Sequence, residues 1–167
     1  MDKRYLIRGR SFNSGTWIYG QPHKYGENKV FIVGGGVIDW EEEWIAFGYW
    51  EWVDSATLGQ CTGLIATKSY RGDSEDARLV FEGDIVANSD NYHTIQGVVR
   101  LGGYSDGHVG FYIEWIDYDS NKWSEWWRKD LDYWITREQC EIAGTIHDHP
   151  ELLNGENEDE RGGGCNE

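Results

Sequence analysis

Residues 103–107 spell Gly-Tyr-Ser-Asp-Gly and precede His108, so the chain contains the Gly-x-Ser-x-Gly pattern that holds the serine nucleophile of many hydrolases. A nucleophile of this kind needs a strand before the serine and a helix after it, because the sharp turn between them exposes the hydroxyl beside an oxyanion hole. Residues 109–113, Val-Gly-Phe-Tyr-Ile, favour a strand instead. The pattern therefore predicts a glycine-rich hairpin loop, and we expect no catalytic residue and no enzyme activity.

A second candidate for chemistry is the histidine pair His147 and His149. In an extended segment both side chains leave the same face and could chelate a metal, together with Asp148 or Glu151. Pro150 favours another interpretation, since proline suits the first position of a short helical turn that Asp148 or His149 would cap. A metal site needs three or four converging ligands. We expect the capped turn, and neither a metal nor a cofactor.

Basic side chains are concentrated near the amino terminus. On an extended strand Arg4, Arg8 and Arg10 would share one side, where they could hold a phosphate or an acidic partner. The simpler interpretation is that they neutralise carboxylates of the same chain, since weak surface ion pairs are common.

Tryptophan supplies the candidate binding surface. Ten Trp can hardly all be fully buried in 167 residues, and Trp and Tyr are enriched among interface anchors. For any one tryptophan taken alone, packing in the core is still the more common role. The candidate binding residues are Trp40, Trp44, Trp50, Trp52, Trp126, Trp127, Arg4, Arg8 and Arg10.

Charge and cysteine content limit the possible partners. Thirty acidic against 15 basic residues give a net charge of −15, which repels nucleic acids and anionic membranes, so we expect neither as a direct partner. The longest uncharged apolar stretch, 30–38, is too short to span a bilayer. Cys61, Cys140 and Cys165 are widely spaced, which indicates reduced thiols inside a cell.

The sequence predicts a mainly β fold. An aromatic content of 15% and turn signals at short intervals favour strands over helices. Glu82-Gly83-Asp84 predicts a tight corner between two strands, as in small SH3-like barrels, because Gly83 readily adopts a positive φ. The candidate strands are Tyr5–Arg8, Thr16–Tyr19, Lys29–Val33, Leu79–Phe81, Asp84–Ala87, Ile95–Leu101, Val109–Tyr118 and Cys140–Ile146.

Other segments predict less regular structure. Residues 117–121 favour the turn of a hairpin, although 123–135 also fit a helical stripe. Residues 39–44 could begin a short helix, with Trp40 and Trp44 one turn apart. The acidic, glycine-rich segment 154–167 predicts a disordered tail.

Three motifs in this order, VDSATLGQCTGL (53–64), FEGDIV (81–86) and IAGTIHDHPELL (142–153), resemble the YopX family of bacteriophage and prophage proteins. The amino-terminal IRGRSFNSGTWIYG (7–20) is similar to the opening of that family. The resemblance implies a soluble, β-rich phage protein that acts in the host cytoplasm and self-associates, and it supplies no catalytic residues.

The expected organisation is an N-terminal β unit, residues 1–59, packed on a YopX-like β core, residues 60–153, with one or two short helices and the tail 154–167. The predicted function is non-catalytic binding of a host or phage protein, including an acidic DNA mimic or counter-defence inhibitor as a special case. The alternative is a nucleotide or other small-molecule binder or hydrolase with a pocket lined by Trp and Arg.

Overall fold

A computed structural model describes residues 5–27, 29–42, 45–67, 77–89, 94–104, 107–116 and 129–154. Strands dominate these ranges, so the predicted mainly β fold is confirmed, and its short helical elements are α1 and a 3₁₀ turn. The elements are β1 (Ile7–Ser11), β2 (Trp17–Tyr25), β3 (Lys29–Trp40), β4 (Ile45–Ala66), β5 (Arg78–Phe81), β6 (Asp84–Ser89), β7 (Thr94–Tyr104), β8 (His108–Trp115), α1 (Leu131–Thr136), β9 (Glu141–Thr145) and the 3₁₀ turn (Pro150–Asn154).

The chain divides into two compact units. The first contains residues 1–66 and 77–82, and the second contains residues 67–76 and 83–167. The division between residues 59 and 60 that the sequence predicts stays a prediction.

In the first unit the strands close into a small barrel. β1 pairs antiparallel with both β2 and β4, while β3 pairs with β2 and β4, so the ladder returns to its first strand. β4 passes from β3 to β1 at Val53, which lies opposite both Val30 and Ser11, and then pairs with β5. Ile32 and Val53 are buried inside. Complete burial of such a side chain contributes about 1.5–3 kcal/mol.

The second unit is a four-stranded antiparallel sheet with strand order β8-β7-β6-β9. Ile85 and Val86 are consecutive in β6 and point to opposite faces of the sheet. Both are fully buried, so this central strand is covered on both sides. The short helix α1 contributes the buried side chains Leu131 and Ile135.

The predicted corner at Gly83 is confirmed. Its φ is 82°, and it joins β5, which ends at Phe81, to β6, which begins at Asp84. The Gly83 N–H donates to the Val99 carbonyl at 2.9 Å, and the Gly83 carbonyl accepts from the Ile146 N–H at 3.0 Å. These two bonds fix the point where β6 starts.

The helical alternative for residues 39–44 is wrong at the start of that segment. Asp39 and Trp40 continue β3, and Trp40 lies opposite Ile45 at the start of β4. The long strand β4 has no counterpart among the candidate strands, and the sequence analysis therefore missed it. In the stretch 123–135, the helical alternative holds for the part that begins at Leu131.

Two further expectations, the hairpin turn at 117–121 and the tail at 154–167, lie outside the residues that the structure describes, except for Asn154, which ends the 3₁₀ turn. Both stay predictions.

Gly83→Ala should lower the free energy of unfolding by about 1–2 kcal/mol, because an L residue with a side chain pays that penalty in the left-handed region. Gly103→Ala is the matched control, since its added Cβ would meet nothing nearer than the His108 carbonyl oxygen at 3.9 Å. Urea denaturation of the two variants measures the difference. Equal free energies of unfolding for the two variants would contradict a left-handed conformation at position 83.

Candidate functional site

An exposed group of aromatic rings on β2, β3 and β4 is the candidate site. Strand register brings it together, because His23 and Trp52 both lie opposite Phe31. Residues two apart on a strand share a face, which adds Tyr25 beside His23 and Trp50 beside Trp52. We call these five residues, His23, Tyr25, Phe31, Trp50 and Trp52, the aromatic face.

The rings of the aromatic face contact one another. The Phe31 ring stacks on His23 at a centroid distance of 5.4 Å and meets Trp52 edge-on at 5.4 Å. Trp50 and Trp52 are 5.9 Å apart and nearly perpendicular, at 89°, and Tyr25 lies 5.9 Å from Trp52. Each such pair contributes about 0.5–1.5 kcal/mol beyond area burial. The rings therefore hold one another in fixed orientations.

This arrangement faces solvent. The Trp50 side chain is 58% exposed, whereas Ile32, the neighbour of Phe31 in β3, is fully buried. The Lys29 ammonium lies 6.0 Å from the Trp52 ring centroid, at the outer limit of a cation–π contact. The aromatic face can therefore stack on planar or apolar groups and attract a cation.

A groove opens beside the same strands where β2 leaves β3. Gln21 still pairs with Val33, but Gly20 pairs with Ile7 of β1. The groove has a volume of about 710 Å³. Its walls include the side chains Tyr19, Pro22, Val37, Phe47 and Tyr49. The Tyr49 hydroxyl donates to the Tyr19 carbonyl.

Two of the predicted binding arginines contact their own chain. Arg8 is only 5% exposed, and its guanidinium lies 4.7 Å from the Trp17 ring centroid and 4.9 Å from that of Phe81. Its Nη2 donates to the Glu82 carbonyl at 3.1 Å. Arg10 Nε donates to the Gly15 carbonyl at 2.9 Å. These contacts tie β1 to its neighbours, and a binding role for either arginine stays a prediction.

The structure brings together two of the predicted binding tryptophans, Trp50 and Trp52. Trp40 lies on β3, and its side chain is not described. The remaining predicted residues, Arg4, Trp44, Trp126 and Trp127, lie outside the described ranges. Sequence reasoning missed His23, Tyr25 and Phe31. The available signal was the spacing of two residues between aromatic rings, at positions 23 and 25 and again at positions 50 and 52.

The Gly-x-Ser-x-Gly segment lies between two strands. Tyr104 of β7 lies opposite His108 of β8, and Gly107 has a φ of 85°. A strand therefore follows the pattern, as predicted, and the helix that a nucleophile elbow requires is missing among the described residues. Residues 105 and 106 are not described.

The segment around His147 and His149 forms a hydrogen-bonded loop. The Thr145 hydroxyl donates to Asp148 Oδ2 at 3.0 Å and accepts from the Asp148 N–H at 3.0 Å. His149 Nδ1 accepts from the Thr145 N–H at 3.4 Å. The predicted short helical turn follows from Pro150. In the described part of the chain, no three His, Cys, Asp or Glu side chains converge on a metal position.

The fold alters the chemistry of the Cys140 thiol. Burial raises the pKa of its thiol to about 12 from an ordinary value of 9.0. A hydrogen bond with Asn88 opposes this, while the charges of Glu138 and Glu141 add to it. The thiol therefore stays protonated and a poor nucleophile at physiological pH.

Barrel and sheet units of antiparallel strands, with aromatic rings exposed to solvent, define the class of this chain as a β protein. The family described as YopX protein matches residues 38–154 of this chain, and the chain therefore belongs to the YopX family, as its motifs predicted. No curated protein and no solved structure matches it significantly. Among the described residues, no helix is both long and apolar enough to span a bilayer.

Stability should fall as pH rises from 9.0 toward about 12. In that window the unfolded chain has lost the Cys140 proton while the folded chain keeps it, so the slope from this thiol reaches at most about 1.4 kcal/mol per pH unit. Urea denaturation across this window should show a flatter decline for Cys140→Ala than for the unmodified chain. Identical slopes would mean that the folded thiol ionises at its ordinary pH.

Proposed function

We propose that this chain is a non-catalytic accessory protein of a bacteriophage or prophage that binds a host or phage protein through its aromatic face. The observation that supports this most is the set of mutually packed rings in which Trp50 remains largely open to solvent. Exposed contiguous apolar surface is uncommon in soluble proteins unless it binds something. Rigid Trp and Tyr side chains are the usual anchors of such contacts.

Charge supports a basic partner. The net charge of −15 would steer a cationic surface toward this chain and repel nucleic acid. An acidic DNA mimic or a counter-defence inhibitor is the special case in which this surface occupies the partner's nucleic-acid groove. The proposal includes the host cytoplasm as the location and self-association of the chain.

The alternative is a nucleotide or other small-molecule binder or hydrolase. The volume of the groove beside β2 favours this alternative, because it falls within the range of ligand pockets, roughly 300–1,000 Å³. However, the described residues that line this groove include neither Arg nor Lys, which would pair with a phosphate. Thermal-shift measurement against nucleotides and metal ions separates the classes, since a ligand of the folded state raises the melting temperature.

Trp50→Ala should weaken the partner complex by about 2 kcal/mol, roughly 30-fold in Kd, because it removes a large and mostly exposed ring from the aromatic face. The partner is first isolated by cross-linked capture from infected host cells, and its Kd is then measured by calorimetry. Phe12→Ala is the matched control, since Phe12 is exposed in the same unit but is not in the aromatic face. Equal affinities for the two variants, or no captured partner, would contradict the proposal.

Added salt should slow association with that partner. Steering by a net charge of −15 acts over a distance that shrinks from about 14 Å to about 4 Å between roughly 0.05 and 0.5 M salt. We expect the association rate constant to fall on the order of tenfold over this range while the dissociation rate changes little. Stopped-flow kinetics measures both, and a salt-independent association rate would rule out electrostatic steering.

A further inference from the structure

One edge of β4 lacks a strand partner in the described part of the chain. β1 covers this edge only as far as Trp52, whose carbonyl accepts from the Phe12 N–H at 3.1 Å. Among the described strands, the part of β4 before Trp52 pairs with β3 alone, on its other side. We call residues 45–50 the open edge.

The backbone of the open edge is regular. The register between β3 and β4 shifts twice, and each shift skips one more residue in β3 than in β4, so the bulges belong to β3. The direction of the N–H and C=O groups alternates along a strand. Because the Trp52 carbonyl points away from β3, the backbone groups of Ala46, Gly48 and Trp50 also point outward.

The open edge lacks the charges and prolines that usually keep a strand from pairing with another chain. Its sequence is Ile-Ala-Phe-Gly-Tyr-Trp. The side chains of Ile45, Phe47, Tyr49 and Trp50 are all exposed. A hairpin of two strands is marginally stable alone in water, so a further strand on this edge would stabilise the part of β3 and β4 that β1 and β2 do not cover.

Charge favours a second copy of this chain as the occupant of the open edge. A net charge of −15 makes most contacts between two copies repulsive, but the open edge itself contributes no charge. Glu51, the next residue, already accepts from the Ser11 hydroxyl at 2.9 Å and from the Asn13 amide at 2.6 Å. A basic segment would gain no ion pair within residues 45–50, so charge complementarity does not select it here.

The sequence of the open edge is complementary to itself when two copies run antiparallel about Gly48. Ala46 would then exchange hydrogen bonds with Trp50 of the second copy, and Gly48 with Gly48. A shift in either direction would leave the outward groups of Ala46 or Trp50 without a partner inside 45–50. In the centred register Phe47 lies directly opposite Tyr49, at the closer, non-hydrogen-bonded position where cross-strand aromatic pairs stabilise a sheet.

The available area reaches what a specific dimer needs. A Phe, Tyr or Trp side chain can bury roughly 150–250 Å². The rings of Phe47, Tyr49 and Trp50 are about half exposed, so the side chains and backbone of two open edges together offer on the order of 1,000 Å². That area is close to the lower limit for a specific interface.

We propose that two copies of this chain pair through their open edges, antiparallel about Gly48, so that β3 and β4 of both copies form one continuous sheet. The contact uses the same surface on each copy, so it closes after two copies and does not continue into a fibre. The inference rests on the self-association in the proposed function and assigns a surface to it. It does not depend on the identity of the host or phage partner.

Analytical ultracentrifugation of the full chain measures the dissociation constant of the dimer. Ala46→Pro should raise this constant at least about 30-fold, because one outward N–H donor is lost from each copy. The fold should tolerate proline here, since the lost N–H points away from β3. Ala46→Ser is the matched control, because serine keeps the N–H, and it should leave the dimer intact.

A cross-link tests the register without relying on proline. Chains carrying Phe47→Cys and chains carrying Tyr49→Cys are mixed and oxidised, both with Cys165→Ser, since Cys61 and Cys140 are buried. Opposite non-hydrogen-bonded positions have Cα atoms about 4.5 Å apart, within reach of a disulfide. The mixed disulfide should therefore exceed either self-linked product at least about tenfold.

Added salt separates this contact from binding of the proposed basic partner. Screening weakens the repulsion between two copies of net charge −15, so the dimer should tighten about tenfold between roughly 0.05 and 0.5 M salt. Association with a basic partner should respond in the opposite direction. A dimer that salt weakens would contradict the uncharged contact.

The remaining outcomes distinguish this inference from the proposed function. A dimer that Ala46→Pro leaves intact, or self-linked products as abundant as the mixed disulfide, would overturn the inference and leave self-association standing. A chain that stays monomeric would remove both, while the Trp50→Ala comparison would still decide the role of the aromatic face. Loss of the captured partner in Ala46→Pro would also overturn the inference, because the partner would then occupy the open edge.

Discussion

The pairing of β4 with three other strands is the interaction on which the first unit depends. Val53 lies opposite residues of both β3 and β1, so one position closes the barrel. The side chains of a strand alternate, and a shift of one residue would exchange its two faces. With Val53 directed inward, Trp50 and Trp52 come to lie on the face that meets Phe31. Barrel closure and the position of the aromatic face are therefore one constraint.

Exposure of these rings lowers the stability that the fold could otherwise gain by burying them. Burying Trp50 would have added hydrophobic stabilisation, yet most of its surface remains in contact with water. The ring contacts fix the orientations of these side chains, which would reduce the entropy lost on binding under the proposed function. Local departures from the rules of stability are expected at functional sites. An excess of carboxylates keeps such a surface soluble and gives it a preference for cations.

Local sequence signals predicted local structure well. Gly83 marked a corner because glycine tolerates positive φ, and the strand-like residues after Gly107 predicted a hairpin, both of which the structure contains. The long strand β4 was missed, because its glycines and acidic residues break the apolar alternation, and the spacing of Trp40 and Trp44 mimicked a helical turn. The aromatic face needed more than local signals. Trp50 and Trp52 could be proposed from their residue type alone. Phe31 lies beside them because of the register between β3 and β4, which the sequence does not show.

The central claim is that Trp50 and Trp52 form a rigid, outward surface that a partner covers. Hydroxyl-radical footprinting with mass spectrometry measures the reactivity of each tryptophan in the free chain and in the complex. The account predicts that Trp50 reacts rapidly in the free chain, faster than the half-buried Trp52, and that both become protected in the complex. Slow modification of Trp50 in the free chain, or reactivity that the partner leaves unchanged, would contradict it.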